Sequence, residues 1–316
     1  MRILFAGTPQ IAVQPLVRLA SRHDVKAVLC SPDKASGRGR RVQPSPVKSE
    51  AVELGLPVLQ PLKLNAELRE TVSRLAPQLL VVVAYHKIFR KAFLNLFPKG
   101  GINLHPSLLP LYRGPSPIQA AILNGDAEIG VTVQELALEM DAGGIWDQET
   151  IPVPENATTQ DLIPRVSKLG AELLIRTIER IEGGTGSAVP QDHDKATCCR
   201  LIRKEDGRID WSWSAERIAR MVRAYIPWPK AYTTYNGAQL SLLAARAAAD
   251  GPQAAGRAAE PGTVLGKDPD CGILVKTGRG LLAVEELQLQ SKRPMDWKSF
   301  LNGHRDFVGT RLGGRA

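Results

Sequence analysis

The chain is poor in cysteine, in aromatic residues and in long apolar runs, and each shortage excludes something. Its 316 residues include four cysteines, Cys30, Cys198, Cys199 and Cys271, with no C-x-x-C pair. That rules out a structural zinc site of the usual spacing and a disulfide framework, and favours a reducing cytoplasm. Aromatic residues make up 5%. No run reaches the roughly 18 apolar residues of a membrane span. The N-terminus carries one basic residue, a short apolar run and then Pro9, and lacks the pattern of a secretory signal. What is present is globular composition, 43% hydrophobic and 23% charged, on a length that suits two domains.

Charge is unevenly placed. The whole chain carries +9. Residues 1–190 are net +3 and residues 191–316 net +6. A basic C-terminal part suits an anionic partner, nucleic acid first, or simply a solvated surface.

The first half alternates apolar runs with helix-period stretches. Arg2–Ala6, Val25–Cys30, Leu79–Ala84 and Gly101–Leu104 read as short buried strands, and Gly130–Leu138 as a further strand. Strand, helix, strand in repetition predicts an α/β, Rossmann-like, doubly wound and mostly parallel sheet. Thr158 and Asp161 open a helix whose Leu162, Val166, Leu169 and Leu173 share one face and which ends at Gly183-Gly184. Residues 183–206 are polar and aperiodic and read as a linker. From 207 the chain predicts a small OB-like β-barrel. A helix capped by Ser214 comes first, then strands at Ala231–Tyr235, Leu240–Leu243, Gly262–Leu265, Gly272–Lys276 and Gly280–Leu289. The expected organisation is a catalytic domain over 1–182, a linker over 183–206 and a C-terminal domain over 207–316.

The turn after the first strand, Gly7-Thr8-Pro9, lacks the G-x-G-x-x-G of a dinucleotide site, which disfavours a nicotinamide enzyme. Asn103 and His105 stand two apart at the C-terminal end of an apolar strand, so their side chains share a face where α/β sheets bind ligands. Amide and imidazole together suit a developing oxyanion, while a core histidine beside a turn-capping asparagine is the plainer reading. Asp141, in Met140-Asp141-Ala142-Gly143-Gly144, offers a carboxylate that could raise the His105 pKa and accept a proton, or merely close an Asx turn. Residues 33–48 hold five basic side chains between 34 and 48 and no acidic one there, which suits phosphate contact or a solvated loop.

Taken together, these segments resemble one family. The opening Met1–Pro9, the block Ser31–Lys48, the run Val81–Tyr85, the stretch Asn103–Pro110, Met140–Gly143, Gln191–Thr197 and Lys204–Trp211 are similar to the methionyl-tRNA formyltransferases. The N-x-H and Asp trio is common to folate-dependent formyltransferases at large; the later blocks and the C-terminal domain narrow the likeness. The resemblance implies transfer of a formyl group from 10-formyltetrahydrofolate to the α-amino group of methionyl initiator tRNA. It implies no metal. It places Asn103, His105 and Asp141 on the catalytic trio, Ser107, Leu108, Leu109 and Pro110 on a folate-contacting turn, and Tyr85, His86, Lys87 and Ile88 on the wall that receives the pterin. Arg38, Arg40, Arg41 and Lys48 are the expected tRNA contacts. A monomeric, cytoplasmic enzyme of translation initiation is the expectation, with no membrane partner. Four departures stand out: Gly144 replaces a usual acidic residue, His86 a usual glycine, Gln10-Ile11 a usual Glu-Phe and Cys198-Cys199 a usual Tyr-Ala. A formyltransferase acting on an amino sugar or purine precursor would show the same trio without the basic loop and basic C-terminal domain. A non-enzymatic RNA-binding protein would have lost the trio.

Overall fold

A computed structural model describes residues 1–36, 41–248 and 259–313. The described residues divide into two compact units. The first comprises Met1–Pro117, Glu128–Val153 and Asp161–Arg200; the second comprises Ile118–Ala127, Pro154–Gln160 and Leu201–Ala316. No helix among the described residues is long and apolar enough to cross a membrane.

The first unit is built on a seven-stranded sheet. Its strands are β1 (Arg2–Gly7), β2 (Asp24–Leu29), β5 (Val58–Leu59), β6 (Leu79–Val83), β7 (Gly101–His105), β8 (Glu128–Glu135) and β9 (Ile145–Pro152), in the order β5-β2-β1-β6-β7-β8-β9. A separate two-stranded ribbon pairs β3 (Lys34–Ser36) with β4 (Arg41–Gln43). The five strands from β5 to β7 run parallel, whereas β8 is antiparallel to both its neighbours, β7 and β9. Ile3, Leu4, Phe5 and Ala6 are all fully buried, as are Leu79, Leu80 and Val81. Both faces of a central parallel strand are covered, and that is why these runs read as continuously apolar.

Helix α1 (Val13–Arg22) buries Val13, Leu16 and Leu19 at three-residue steps, which directs one stripe inward. Helix α2 (Pro46–Glu53) starts at Ser45, whose hydroxyl accepts the Lys48 amide. Helix α3 (Ala66–Leu75) starts at Asn65, whose side chain accepts the Leu68 amide. Each cap satisfies a donor that a helix end leaves unpaired. Between β6 and β7 lies the one-turn helix α4 (Lys91–Leu94). Phe89, Phe93 and Phe97 form an aromatic ladder there against Leu4, Ala6, Leu80 and Val82. Helix α5 (Pro117–Asn124) follows β7, and the long α6 (Thr159–Gly183) follows β9.

The second unit carries a six-stranded antiparallel sheet. Its strands are β10 (Ala231–Tyr235), β11 (Ala238–Ala248), β12 (Val264–Asp268), β13 (Gly272–Lys276), β14 (Leu281–Leu289) and β15 (Met295–Asp296). The order is β10-β11-β14-β13-β12, with β15 added on β14. Helix α7 (Ala215–Ala224) is capped by Ser214, as its sequence predicts, and buries Ile218, Met221 and Val222. A terminal helix α8 (Trp297–Gly303), capped by Asp296, has no counterpart in the sequence reading.

Three elements of the first unit also escape the sequence pattern. Strand β5 has two residues. The β3–β4 ribbon lies in the basic segment that reads as loop. Strand β9 has mostly half-exposed positions, which blurs its alternation. Residues 189–199, which read as linker, are laid along the first unit. Val189 pairs with Ile145, and Cys198 pairs with Arg113.

Candidate active site

Asn103 and His105 leave the same face of β7, at its C-terminal end. Opposite them on β8 stand Gln134, in register with Asn103, and Thr132, in register with His105. Four polar side chains thus share one patch of an otherwise apolar sheet. Thr132 is 0% exposed, Gln134 1% and His105 4%, so each needs partners inside the fold.

Asp141 supplies the charge. Its backbone is left-handed, with φ 52°, a conformation aspartate tolerates better than most residues. Its Oδ2 accepts the Gly114 amide at 2.8 Å. Oδ1 accepts from Gln134 Nε2 at 2.9 Å and from Asn103 Nδ2 at 3.4 Å. His105 Nδ1 stands 3.6 Å from Oδ2. The structure therefore brings the three sequence-identified residues Asn103, His105 and Asp141 into one cluster.

The loop holding Asp141 depends on Gly143. A Cβ built there would lie 1.9 Å from the Glu135 carbonyl oxygen, so the loop crosses the end of β8 at a distance only glycine allows. Replacing Gly143 by alanine is expected to cost roughly 1–3 kcal/mol and to displace Asp141. Thermal unfolding would show the first effect and loss of formyl transfer the second. Gly144 stands against Ala188 and Glu135, where a Cβ would be 2.9 Å from the Ala188 Cβ. That crowding is consistent with the small residue at this position.

His105 is held at its other nitrogen. Nε2 lies 2.9 Å from the Tyr112 carbonyl, which can only accept, so the Nε2 proton is fixed. Nδ1 is then the atom that takes or gives up a proton, and it faces Asp141. Burial pushes the imidazole below its ordinary value, while the Asp141 carboxylate and the Tyr112 carbonyl pull it back up. Burial is the largest of the three influences. The sequence reading expects a protonated imidazole donating to an oxyanion. In the structure both ring nitrogens face protein acceptors, the Tyr112 carbonyl and the Asp141 carboxylate, while burial, which strips a charge of its hydration, opposes the charged form.

The turn after β7 is a scaffold of hydrogen bonds. Ser107 is buried; its hydroxyl donates to the Leu111 carbonyl at 2.6 Å, and its own carbonyl accepts from the Thr132 hydroxyl at 2.6 Å. Thr132 Oγ1 accepts the Leu109 amide, and Gln148 Nε2 donates to the Leu109 carbonyl at 2.9 Å. Leu108 packs where Gly130 leaves room: a Cβ on Gly130 would be 2.1 Å from Leu108 Cγ. Pro110 accepts the Thr197 amide on its carbonyl. Ser107 through Pro110 thus shape the turn through their own contacts.

The segment after β6 places Tyr85, His86, Lys87 and Ile88 at strand C-termini beside Thr8 and Ser31. Tyr85 stacks on Phe89; its hydroxyl is buried with no hydrogen-bond partner among the described residues, and burial pushes its pKa up to about 12. His86 Nδ1 lies 3.1 Å from Ser31 Oγ, which in turn meets Thr8 Oγ1 at 3.0 Å. Burial, then Lys87 and Lys34, depress the His86 pKa. Lys87 Nζ donates to the carbonyls of Pro61 and Leu62, the latter at 2.6 Å. Ile88 is 72% exposed.

Of the four basic residues expected to meet RNA, Lys48 is tied to Asp33 at 2.5 Å and Asp33 also accepts from Gln60. Arg41 lies on β4. Arg38 and Arg40 lie outside the described residues. Among the described residues no group of three or more histidine, cysteine or acidic side chains is placed to hold a metal.

Sequence reasoning missed the residues that hold the cluster: Thr132, Gln134, Gln148, Arg113 and Gln191. Thr132 and Gln134 carry a readable signal, since polar residues two apart on a strand of Ile, Gly and Val sit on one inward face. Gln191 and Arg113 carry none, because their partners are distant in the chain.

Likeness to known proteins identifies the family. Residues 1–178 match the family described as Formyl transferase, and residues 201–305 match Formyl transferase, C-terminal domain. The methionyl-tRNA formyltransferase of Roseiflexus castenholzii is 45% identical over 99% of both chains. That of Treponema denticola is 42% identical over 98% of both. Among solved structures, the N-formyltransferase of Helicobacter canadensis superposes with a TM-score of 0.65 at 20% identity, covering 91% of this chain and 99% of that one. The methionyl-tRNA formyltransferase of Clostridium thermocellum gives 0.56 at 18% identity over 79% and 94%. The structural likenesses speak for the fold; the near full-length identity to curated relatives speaks for the family. This chain belongs to the formyl transferase family, among the methionyl-tRNA formyltransferases.

Proposed function

We propose that the chain transfers a formyl group from 10-formyltetrahydrofolate to the α-amino group of methionyl initiator tRNA, with Asn103, His105 and Asp141 as its catalytic residues. The observation that carries this reading is their convergence at the ends of β7 and β8. The residues after β6 fit a folate: exposed Ile88 offers an apolar surface, and the Tyr85 hydroxyl is a buried polar atom still in need of a partner. Tyr85, His86, Lys87 and Ile88, with the turn Ser107–Pro110, are the residues assigned to hold it. The cosubstrate supplies the formyl carbon.

The chain supplies charge stabilisation and proton transfer. As the amine adds to the formyl carbon, the formyl oxygen gains negative charge. Asn103 Nδ2 carries two hydrogens and gives one to Asp141, so the other can be donated to that oxygen. The amine must shed a proton. Asp141 Oδ2 and His105 Nδ1 stand together to receive it, and the Tyr112 carbonyl keeps the imidazole in the tautomer that can. As the tetrahedral adduct collapses, the bond from the formyl carbon to the folate nitrogen breaks, and that nitrogen takes the proton as tetrahydrofolate leaves.

The basic segment 33–48 and the second unit are assigned to the tRNA, the boundary between catalytic and RNA-binding parts falling within 183–206. Arg38, Arg40 and Arg41 suit phosphates or an unpaired base, since a planar guanidinium does both. Each phosphate neutralised adds roughly 0.7–0.9 to the salt slope of binding. Arg38→Ala and Arg40→Ala are expected to lower that slope and kcat/KM for tRNA. Lys48→Ala is expected to do less, because Asp33 already pairs with the ammonium. Titration of tRNA at several salt concentrations checks all three. We place the enzyme in a reducing cytoplasm, which suits its four free cysteines, acting as a monomer. The decisive test is formyl transfer to charged initiator tRNA against charged elongator tRNA and against amino-sugar acceptors. Equal rates on the two tRNAs, or a preference for the sugar, would overturn the reading.

A further inference from the structure

We propose that Gln191 is a positioning residue for formyl transfer: its carboxamide locks the Asp141–Gly143 loop to the Arg113 guanidinium and thereby sets where the Asp141 carboxylate stands. The proposal rests on the reading of Asp141 given above.

Gln191 is 6% exposed and lies in the segment that follows α6, 50 residues beyond Asp141. Its two ends do opposite work. Nε2 donates to the Gly143 carbonyl at 2.7 Å, to the Asp141 carbonyl at 2.9 Å and toward Gln134 Oε1 at 3.3 Å. Oε1 accepts from Arg113 at 2.7 Å through Nη2 and at 3.1 Å through Nε. The two shortest Nε2 contacts fall on the backbone of the loop itself, on either side of Ala142. The third reaches Gln134, whose own amide holds Asp141 Oδ1. Gln191 therefore touches the peptide carbonyl of Asp141 directly and its carboxylate through one intermediary.

The other end is equally placed. Arg113 is 6% exposed, and the nearest carboxylate, Glu139, is 4.0 Å from it. Its backbone follows Tyr112, whose carbonyl fixes the His105 tautomer. Its amide donates to the Thr197 carbonyl, and its own carbonyl accepts the Cys199 amide. Only a side chain that presents an acceptor on one side and a donor on the other satisfies both the guanidinium and the loop carbonyls. Glutamine does this with no net charge. The role is one of placement, because Gln191 acts on Asp141 from behind.

The informative substitution is Gln191→Glu. It keeps the shape and the acceptor for Arg113, which protects folding, but turns an oxygen toward three oxygens. We expect kcat for charged initiator tRNA to fall at least about tenfold, with KM for tRNA and for 10-formyltetrahydrofolate within about threefold of wild type. Placed in an Asp141→Asn background, Gln191→Glu should lower the single-turnover rate by less than about twofold, because the group it positions is already gone. Should Q191E fail to fold, Gln191→Leu in the same pair of backgrounds gives the same comparison. Wild-type kcat for the single variant would overturn the proposal, as would an equal fold loss in both backgrounds, since Gln191 would then act independently of Asp141. Wild-type activity of Asp141→Asn alone would instead overturn the catalytic reading, and this proposal with it.

Discussion

Asp141→Asn is expected to lower kcat by about two to four decades, the range for removing a positioned proton acceptor. The change removes the charge that draws the amine proton and leaves shape nearly intact. It also rearranges the hydrogen bonds. The asparagine oxygen can still accept from Gln134 and Asn103, while its NH2 group faces the Gly114 amide, which loses its acceptor. A modest fall in melting temperature should accompany a large loss of rate, and the two separate in parallel measurements of unfolding and of single-turnover formyl transfer. A rate loss below about tenfold would remove Asp141 from the chemistry.

The same pair sets a pH dependence. Burial holds the His105 imidazole below its ordinary value of 6.5. A lowered pKa keeps Nδ1 free to accept a proton down to more acid solution. The acid limb of kcat is therefore expected below pH 6.5 in the wild type, with activity rising through it as pH increases. A limb above that value would show that burial does not govern the pair.

Asn103→Ala is expected to cost about 2.7–4 kcal/mol in the transition state, or roughly two to three decades of kcat, with KM for both substrates little changed. The asymmetry follows from when the bond is made: the formyl oxygen carries full demand for a donor only as the amine adds. Truncation also frees Asp141 Oδ1 from a long 3.4 Å contact, but Gln134 at 2.9 Å remains, so Asp141 keeps its place. Steady-state kinetics with each substrate varied in turn separates the cases. A KM effect without a kcat effect would reassign Asn103 to substrate binding.

Much of this protein is legible in one dimension because the relevant physics is local. Arg2–Ala6 and Leu79–Ala84 announce buried parallel strands, since a strand covered on both faces has to be apolar throughout. Ser214 announces a helix start, since an unpaired amide three residues on needs an acceptor and a hydroxyl supplies it. Asn103 and His105 announce a site, since two polar residues of one parity at the end of such a strand point together to where ligands enter the sheet. The basic skew of the last third is simple arithmetic on side chains.

Tertiary structure alone decided the rest. Strand β9 exists because β8 offers it an edge, and its half-exposed residues hold no alternation to read beforehand. The state of His105 depends on the Tyr112 carbonyl and on burial, neither of which spacing encodes. Residues 189–199 read as linker because they lack periodicity, yet they run beside the turn after β7 and deliver Gln191 to Arg113 and Asp141. Their long-range bonds are made one at a time to partners 44 to 87 residues away. A repeating pattern betrays a face that is buried; single long-range hydrogen bonds leave no period behind, so only the folded chain shows which of its polar residues hold the site together.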